Sequence, residues 1–564
     1  MFYRKNLILS TVLVLLLTVA LWPLTVFLQD HAGNEDRIRL EIEHMYADYD
    51  QHMHAGRMYS VEPLMELEDA WAIEDLRSEA QFPLVTAMQN GESALGFDRT
   101  NNTFYCTVGT GSDEWPELDL MFRGKQDVRV TWIDDYTYDS CADAVREGYR
   151  YELLAYTQTE FAYFGVVFTG LPVVNLYMAE GEELSREDKA GRISISAQGY
   201  DPIDVPALLH RRGGRFDDHA EKASFHVEFH QISGKGKDKK PRLSVLGMEA
   251  DSDWLLISHE GDDSCMRNGL AFDLWNKWNA DGNAFALLES RMVEVFFRDE
   301  YMGLYQLIQR IQPEKELTRM DGNTNRDVVA RLIGMRPSTD RFVSSISIPL
   351  NGYMELRYAP KRMQMEDAAA QMENYVTLNL PKGDENRLDD EAFAQLALQC
   401  VDVREIMGYY LFMNVCSLPL DNVKNNVYIW ARWNGERYIY TLSPWDMDSS
   451  FWPIFADGSD SMNLWMELPV RMLELNVGGC REVFHELFWE KRDSFLSDDA
   501  LYQWVEDAEE MINASGAYLR ESQRWQDGAQ PLDLSQISAH VTEQMNLIER
   551  YIQAIWPVEE IDGV

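Results

Sequence analysis

From Leu7 to Leu28 the chain is apolar for 22 residues, broken only by Ser10, three threonines and Pro23, with Arg4 and Lys5 just ahead. That length is enough to cross a hydrocarbon core. It exceeds the apolar region of a typical secretory signal, and no small-x-small cleavage site follows it. The run is read as an uncleaved membrane anchor in preference to a cleaved signal peptide. Basic residues ahead of a span favour an N-inside orientation, so everything after Gln29 is expected outside the cytoplasm. No second apolar run of comparable length follows, and the rest of the chain has to fold in water.

A chain of 564 residues exceeds what one core organises and implies several structural units. Hydrophobic residues make up 46% of it, with 16 tryptophans, so most of the body folds. A formal net charge of −43 excludes a nucleic-acid partner, because that affinity rests on Lys and Arg neutralising phosphates. The six cysteines, Cys106, Cys141, Cys265, Cys400, Cys416 and Cys480, are too few for a disulfide scaffold. An exported chain nevertheless permits a bridge, and Cys106 with Cys141 is the expected pair. Cys416 lies at the end of the apolar stretch Tyr409–Cys416 and reads as a free buried thiol. No C-x-x-C occurs, which argues against structural zinc.

Patterning divides the chain into five parts: the anchor over 1–29, a helical stalk over 30–95, a β-rich module over 96–180, an α+β region over 185–465 and a helical region over 466–564. In the β-rich module, Phe104–Val108, Val128–Trp132 and Tyr151–Tyr156 are strand-like runs separated by turn clusters, the spacing of a small β-sandwich. Towards the end, Leu501–Ile512 has a helical period. Two strings invite chemistry that their patterning does not support. His226-Val227-Glu228-Phe229-His230 lacks the H-E-x-x-H spacing and alternates like a strand. Ser233–Lys240 lacks the phosphate-loop spacing and reads as a hairpin tip.

One constellation does suggest a reaction. Asp421 follows Pro419 and falls in a loop, with Asn426 five positions later. Asp446 and Asp448 follow the strand-like Arg437–Leu442 and Pro444 at i, i+2, which puts both carboxylates on one side of an extended segment. A carboxylate to orient a hydroxyl, with an amide and further carboxylates to hold Mg2+, is the set of groups that phosphoryl transfer needs. Asn425 competes with Asn426 as the amide ligand, and the five-residue offset favours Asn426. Neither H-R-D nor D-F-G occurs in kinase context.

The residues around these acids resemble the spore-coat protein H (CotH) kinase family. Leu420–Ile429 and Ser443–Phe451 carry the resemblance, as do Leu246–Leu256, Asp262–Asn268, Tyr301–Tyr305 and Arg212–Gly214 with Glu221–Phe225. These blocks run in order from about residue 190 to 455. The resemblance implies an atypical protein-kinase-like fold and places the catalytic acid at Asp421. It implies Asn426, Asp446 and Asp448 as metal ligands, and Lys222, Arg267 and Tyr305 as groups binding ATP. For Arg267 a structural ion pair is an equal reading, and Tyr301 joins Tyr305 as a candidate lining for adenine. Gly303 reads as a tight strand turn. The chain departs from the family pattern at Arg215, Phe216, Glu221, Ala223 and Gln309, which puts the phosphate-covering loop and one carboxylate in question.

The fold class expected is therefore α+β, kinase-like, between a β-rich module and a helical C-terminal region. The function expected is extracytoplasmic transfer of the γ-phosphoryl group of ATP, with Mg2+, to Ser or Thr of a coat or cell-envelope protein. A catalytically silent scaffold and an AMP transferase on the same pocket are the rival readings.

Overall fold

Two units emerge from the packing of the chain, residues 1–257 with 293–303 and residues 258–292 with 304–564. The computed structural model describes residues 57–133, 140–179, 181–213, 221–230, 240–279, 288–333, 342–346, 352–417, 422, 425–451 and 466–554. The segment 1–29, expected to be a membrane anchor, lies outside them. The architecture is mixed α+β.

In the first unit, alternating β-branched and aromatic runs form two sheets and most of a barrel. One sheet runs in the order Tyr59–Ser60, Leu120–Gly124, Val85–Asn90, Ser93–Ala94. The other runs Gly96–Asp98, Thr103–Thr107, Glu160–Thr169, Arg150–Tyr156, Arg129–Trp132. Met88 and Phe122 from the first share a single apolar core with Phe104, Val130, Tyr151 and Phe168 from the second. Burying both inner faces together is what allows short strands to hold. The described part of the segment read as a helical stalk holds one helix, Leu67–Leu76, and four short strands. Its apolar residues are too few and too closely alternated to sustain a longer helix.

The barrel closes in the order Val173–Met178, Lys189–Ser196, Ile203–Arg212, Ser224–Phe229, Asp253–Ile257, Glu300–Gln309, Ser290–Phe297. Phe225, Val227 and Phe229 are fully buried, so His226 and Glu228 take the opposite face. Ser224–Phe229 is a strand, as its alternation predicts. The turn joining the last two strands in sequence lies at Arg298 and Asp299, with φ of 53° and 59°. Gly303 is therefore not a turn residue. It sits inside the strand Glu300–Gln309 with φ of 98°, a conformation that favours glycine.

All six cysteines are free and buried, and the expected Cys106–Cys141 bridge is not formed. Burial pushes the Cys106 thiol up to about 12 and raises that of Cys141. Protonated thiols lack the nucleophile that disulfide exchange requires. Cys416 is the buried free thiol that its apolar surroundings imply.

In the second unit an antiparallel sheet runs Phe342–Ile346, Gly352–Tyr358, Val328–Ile333, Val427–Trp433, Tyr438–Pro444. The helix Val403–Val415 is buried at every residue from Ile406 onward. It starts at Asp402, whose side chain accepts from Glu405 N at 3.1 Å and so satisfies a backbone donor that the helix leaves open. The C-terminal helix Ser535–Ala554 buries Ile537, Val541, Met545, Ile548 and Ile552, one stripe at helical spacing.

Candidate active site

The hairpin Val427–Trp433/Tyr438–Pro444 builds the site from two distant pieces of chain. Its register pairs Val427 with Pro444, so Asn426 just ahead of one strand and Trp445 just beyond the other meet at the same end. Asn426 is buried, and its backbone N–H donates to Leu332 O at 3.0 Å. Trp445 is buried against Phe272 and Tyr428, with ring centroids 5.9 and 6.3 Å away. Beyond it, Met447 is fully buried while Asp446 and Asp448 are only half-buried. The two carboxylates thus share the side away from the core. The segment is not simply extended, because Asp446 has φ of 58° and Asn426 has φ of 55°. Left-handed backbone at a non-glycine residue is uncommon and persists where the surroundings enforce it.

Three buried side chains enforce it here. Asn268 accepts from Met447 N at 2.7 Å, and its amide donates to Gln306 Oε1 at 2.6 Å. The Arg267 guanidinium donates to Ser450 O at 3.0 Å and Phe451 O at 2.6 Å. Asn422 Nδ2 donates to Trp445 O at 2.8 Å, and its Oδ1 is buried with no hydrogen-bond partner among the described residues. The backbone carrying Asp446 and Asp448 is therefore pinned before, between and after the two acids.

Arg267 and Asn268 are in turn fixed by the loop ahead of them. They open the helix Arg267–Trp278, whose start has no side-chain cap from its own flanking residue Met266. Asp262 takes that role, accepting from Arg267 N at 3.0 Å and from Ser264 N and Oγ at 3.1 and 2.6 Å. Its carboxylate also lies 3.2 Å from Arg267 Nε. Burial raises the Asp262 carboxyl and lowers the Arg267 guanidinium, each against the opposing charge of the other. Both directions are those of an ion pair withdrawn from water.

A second, half-buried pair adjoins this framework. Ser417, which follows the helix Val403–Val415 with φ of 67°, lies 2.5 Å from His540 Nε2 on the C-terminal helix. Burial holds the His540 imidazole below its usual range; Glu543 opposes this and the Arg267 charge adds to it.

Of the residues expected at the site, the hairpin register sets Asn426 opposite Trp445, next to Asp446, and Asp448 follows two residues further on. Their donors are all oxygen, which fits a hard divalent cation such as Mg2+. Asp421 lies outside the described residues. Arg267 grips carbonyls of the acid-bearing turn and pairs with Asp262, as the ion-pair reading has it. Tyr305 is fully buried in the second unit. Tyr301 belongs to the first unit, where its hydroxyl donates to the buried Glu294 at 2.7 Å and its ring stacks on Tyr105. Lys222, also of the first unit, is buried just ahead of Ser224–Phe229.

Reasoning from sequence missed Asn268, Asn422, Gln306 and Asp262 as holders of the acid segment. Asp262 and Asn268 stood in one motif block and Asn422 in another, but nothing local marked what they would hold.

A family model described as CotH kinase protein matches residues 209–554. The match runs past residue 465, where patterning ends the α+β region, and takes in the C-terminal helices that carry His540. No curated protein matches the chain.

Proposed function

The chain belongs to the CotH kinase family, and from that premise we propose that it is a kinase-like enzyme acting outside the cytoplasm. It transfers the γ-phosphoryl group of ATP to serine or threonine hydroxyls of a coat or envelope protein. The observation that carries this reading is the pinned segment Trp445–Phe451, where Asn422, Asn268 and Arg267 hold two carboxylates in fixed backbone beside Asn426. Electrostatic preorganisation of this kind is what phosphoryl transfer draws on most.

In this reading Asp446, Asp448 and Asn426 would hold Mg2+. The bound cation would offset negative charge on the β and γ phosphates. Asp421 orients the attacking hydroxyl and receives its proton. Lys222 would pair with the phosphates, and Tyr305 would contribute to binding the nucleotide. Arg267 acts on the reaction through Ser450 and Phe451, as a positioning residue.

The test is product analysis with γ-labelled and α-labelled ATP on wild type and Asp421→Asn together. Wild type should pass the γ label to protein Ser or Thr. The variant should lose that transfer by roughly two to four orders of magnitude, the weight of a positioned acid–base group, while still binding ATP with Mg2+. Transfer of the α label would replace the kinase reading with AMP transfer. No transfer by wild type under any condition would leave a silent scaffold.

A further inference from the structure

Three strands of the barrel in the first unit bring together donors that no sequence motif links. His210 and His226 are direct partners in the antiparallel pair Ile203–Arg212/Ser224–Phe229, and their Nδ1 atoms lie 3.3 Å apart. Asp188, just ahead of Lys189–Ser196, places Oδ1 2.6 Å from His210 Nδ1. The ligand atoms of Asp188, His210 and His226 all lie within 4.8 Å of one another. Behind His226, Asp253 Oδ1 accepts from Nε2 at 2.6 Å. That contact assigns the His226 proton to Nε2 and turns the Nδ1 lone pair toward His210. A carboxylate behind an imidazole that faces other donors is the usual outer partner of a ligating histidine. His226 is buried, His210 is half-buried and Asp188 is exposed, so the cluster is anchored on one side and open to solvent on the other.

The three ligand atoms are close enough for one cation to take the place of a shared proton. With His226 Nδ1 bare and Asp188 ionised, a single proton on His210 Nδ1 faces two acceptors at 2.6 and 3.3 Å. A metal in that place takes lone pairs from all three groups, with the His210 proton moving to Nε2. The spacing fits: with metal–nitrogen bonds of about 2.1 Å, a 3.3 Å separation of two nitrogens subtends roughly 104°, close to tetrahedral. Asp188 has to swing outward to reach a ligand's distance from His210, and its exposure allows that.

We propose that Asp188, His210 and His226, oriented by Asp253, form a binding site for a borderline divalent metal of the zinc class, fastening neighbouring barrel strands. Two imidazoles select such a metal over Mg2+ or Ca2+, which prefer all-oxygen sites. The site is separate in donor chemistry from the Asp446–Asp448 pair and does not depend on the kinase reading.

The test uses full-length protein in detergent, stripped with a chelator and titrated with Co2+ as the optical probe. Zn2+ then competes in the presence of excess Mg2+. Wild type should take up one equivalent with visible d–d absorption and gain thermal stability with Zn2+. His210→Ala and His226→Ala should each abolish that signal. Asp253→Asn should weaken affinity about 10- to 100-fold, the usual weight of an outer-shell partner. His210→Gln, which keeps a hydrogen bond to Asp188, guards against misfolding and should also lose the metal while retaining its circular dichroism. Absence of a saturable equivalent in wild type, or equal uptake by folded His210→Gln, overturns the proposal.

Discussion

At the scale of single residues, the candidate site depends on amides as much as on acids. Asn268 makes two bonds that no other side chain can replace together, one to Met447 N and one to Gln306 Oε1. Asn268→Ala leaves a buried N–H and a buried amide oxygen without their partner, at a cost of about 1–3 kcal/mol for each unsatisfied group. Urea unfolding should register that loss. Calorimetry on the folded variant should show ATP affinity reduced at least tenfold in Mg2+, with little change in its absence, since what slips is the backbone between the metal-binding acids. Unchanged Mg2+-dependent binding would disconnect the clamp from the metal site. The Arg267-Asn268 pair was legible in the sequence, but its job was not. The bonds of these residues to the acid-bearing turn span 179 to 184 positions, and no periodicity records a contact at that separation. His210 and His226 were invisible as a pair for the same reason: strand register, not spacing, brings them together. The alternation of His226–His230 was read correctly as a strand; what alternation cannot report is the neighbour across it.

At the scale of elements, the helix Val403–Val415 holds the clearest conflict of forces. Its apolar stretch predicted burial, and its start follows the rule that Asp caps a helix. Glu405 stands in its first turn, where the helix dipole favours a negative charge. Burial wins: it pushes the Glu405 carboxyl up to about 7, with Asp402 adding and Arg432 opposing. Glu405 Oε2 is buried without a hydrogen-bond partner among the described residues, which is the physical source of that penalty. The sign follows. A carboxyl whose folded value is raised contributes its stability fully below its unfolded value near 4.5, and loses it as pH rises through about 7. Glu405→Gln removes the titration, so the fall in thermal midpoint between pH 6 and 8 should shrink. Relative to wild type at pH 8, the variant should gain on the order of 1–3 kcal/mol, each pKa unit being about 1.4 kcal/mol before partial exposure is discounted. An identical pH profile in the two proteins would show that Glu405 reaches solvent. Elsewhere, boundaries shifted by small amounts: the strand read at Arg437–Leu442 is Tyr438–Pro444. The left-handed turn at Asp446 was not foreseen, because alternation assumes extended backbone and tertiary hydrogen bonds override it.

At the scale of the whole molecule, the membrane expectation rests on sequence and has its own test. The apolar run Leu7–Leu28 follows two basic residues, and the chain beyond it carries a charge opposite to what nucleic acid or an anionic membrane surface attracts. If the run is an uncleaved anchor, full-length protein should stay with membranes through an alkaline carbonate wash and keep its native N-terminus. A soluble mature form beginning near residue 30 would show a cleaved signal instead. The folded body should not need the anchor, since the core shared by the two N-terminal sheets is assembled from Val61 onward. Removing residues 1–29 should therefore release a soluble protein whose thermal midpoint matches that of the full chain in detergent. The cysteines give the same experiment a second readout. All six are buried and free, and burial raises the thiols of Cys106 and Cys141. In an oxidising compartment, intact mass should therefore be unchanged by reduction, and all six thiols should label only after unfolding. A mass gain of two hydrogens on reduction would mean that export closes a bridge which the folded core, left to itself, does not form.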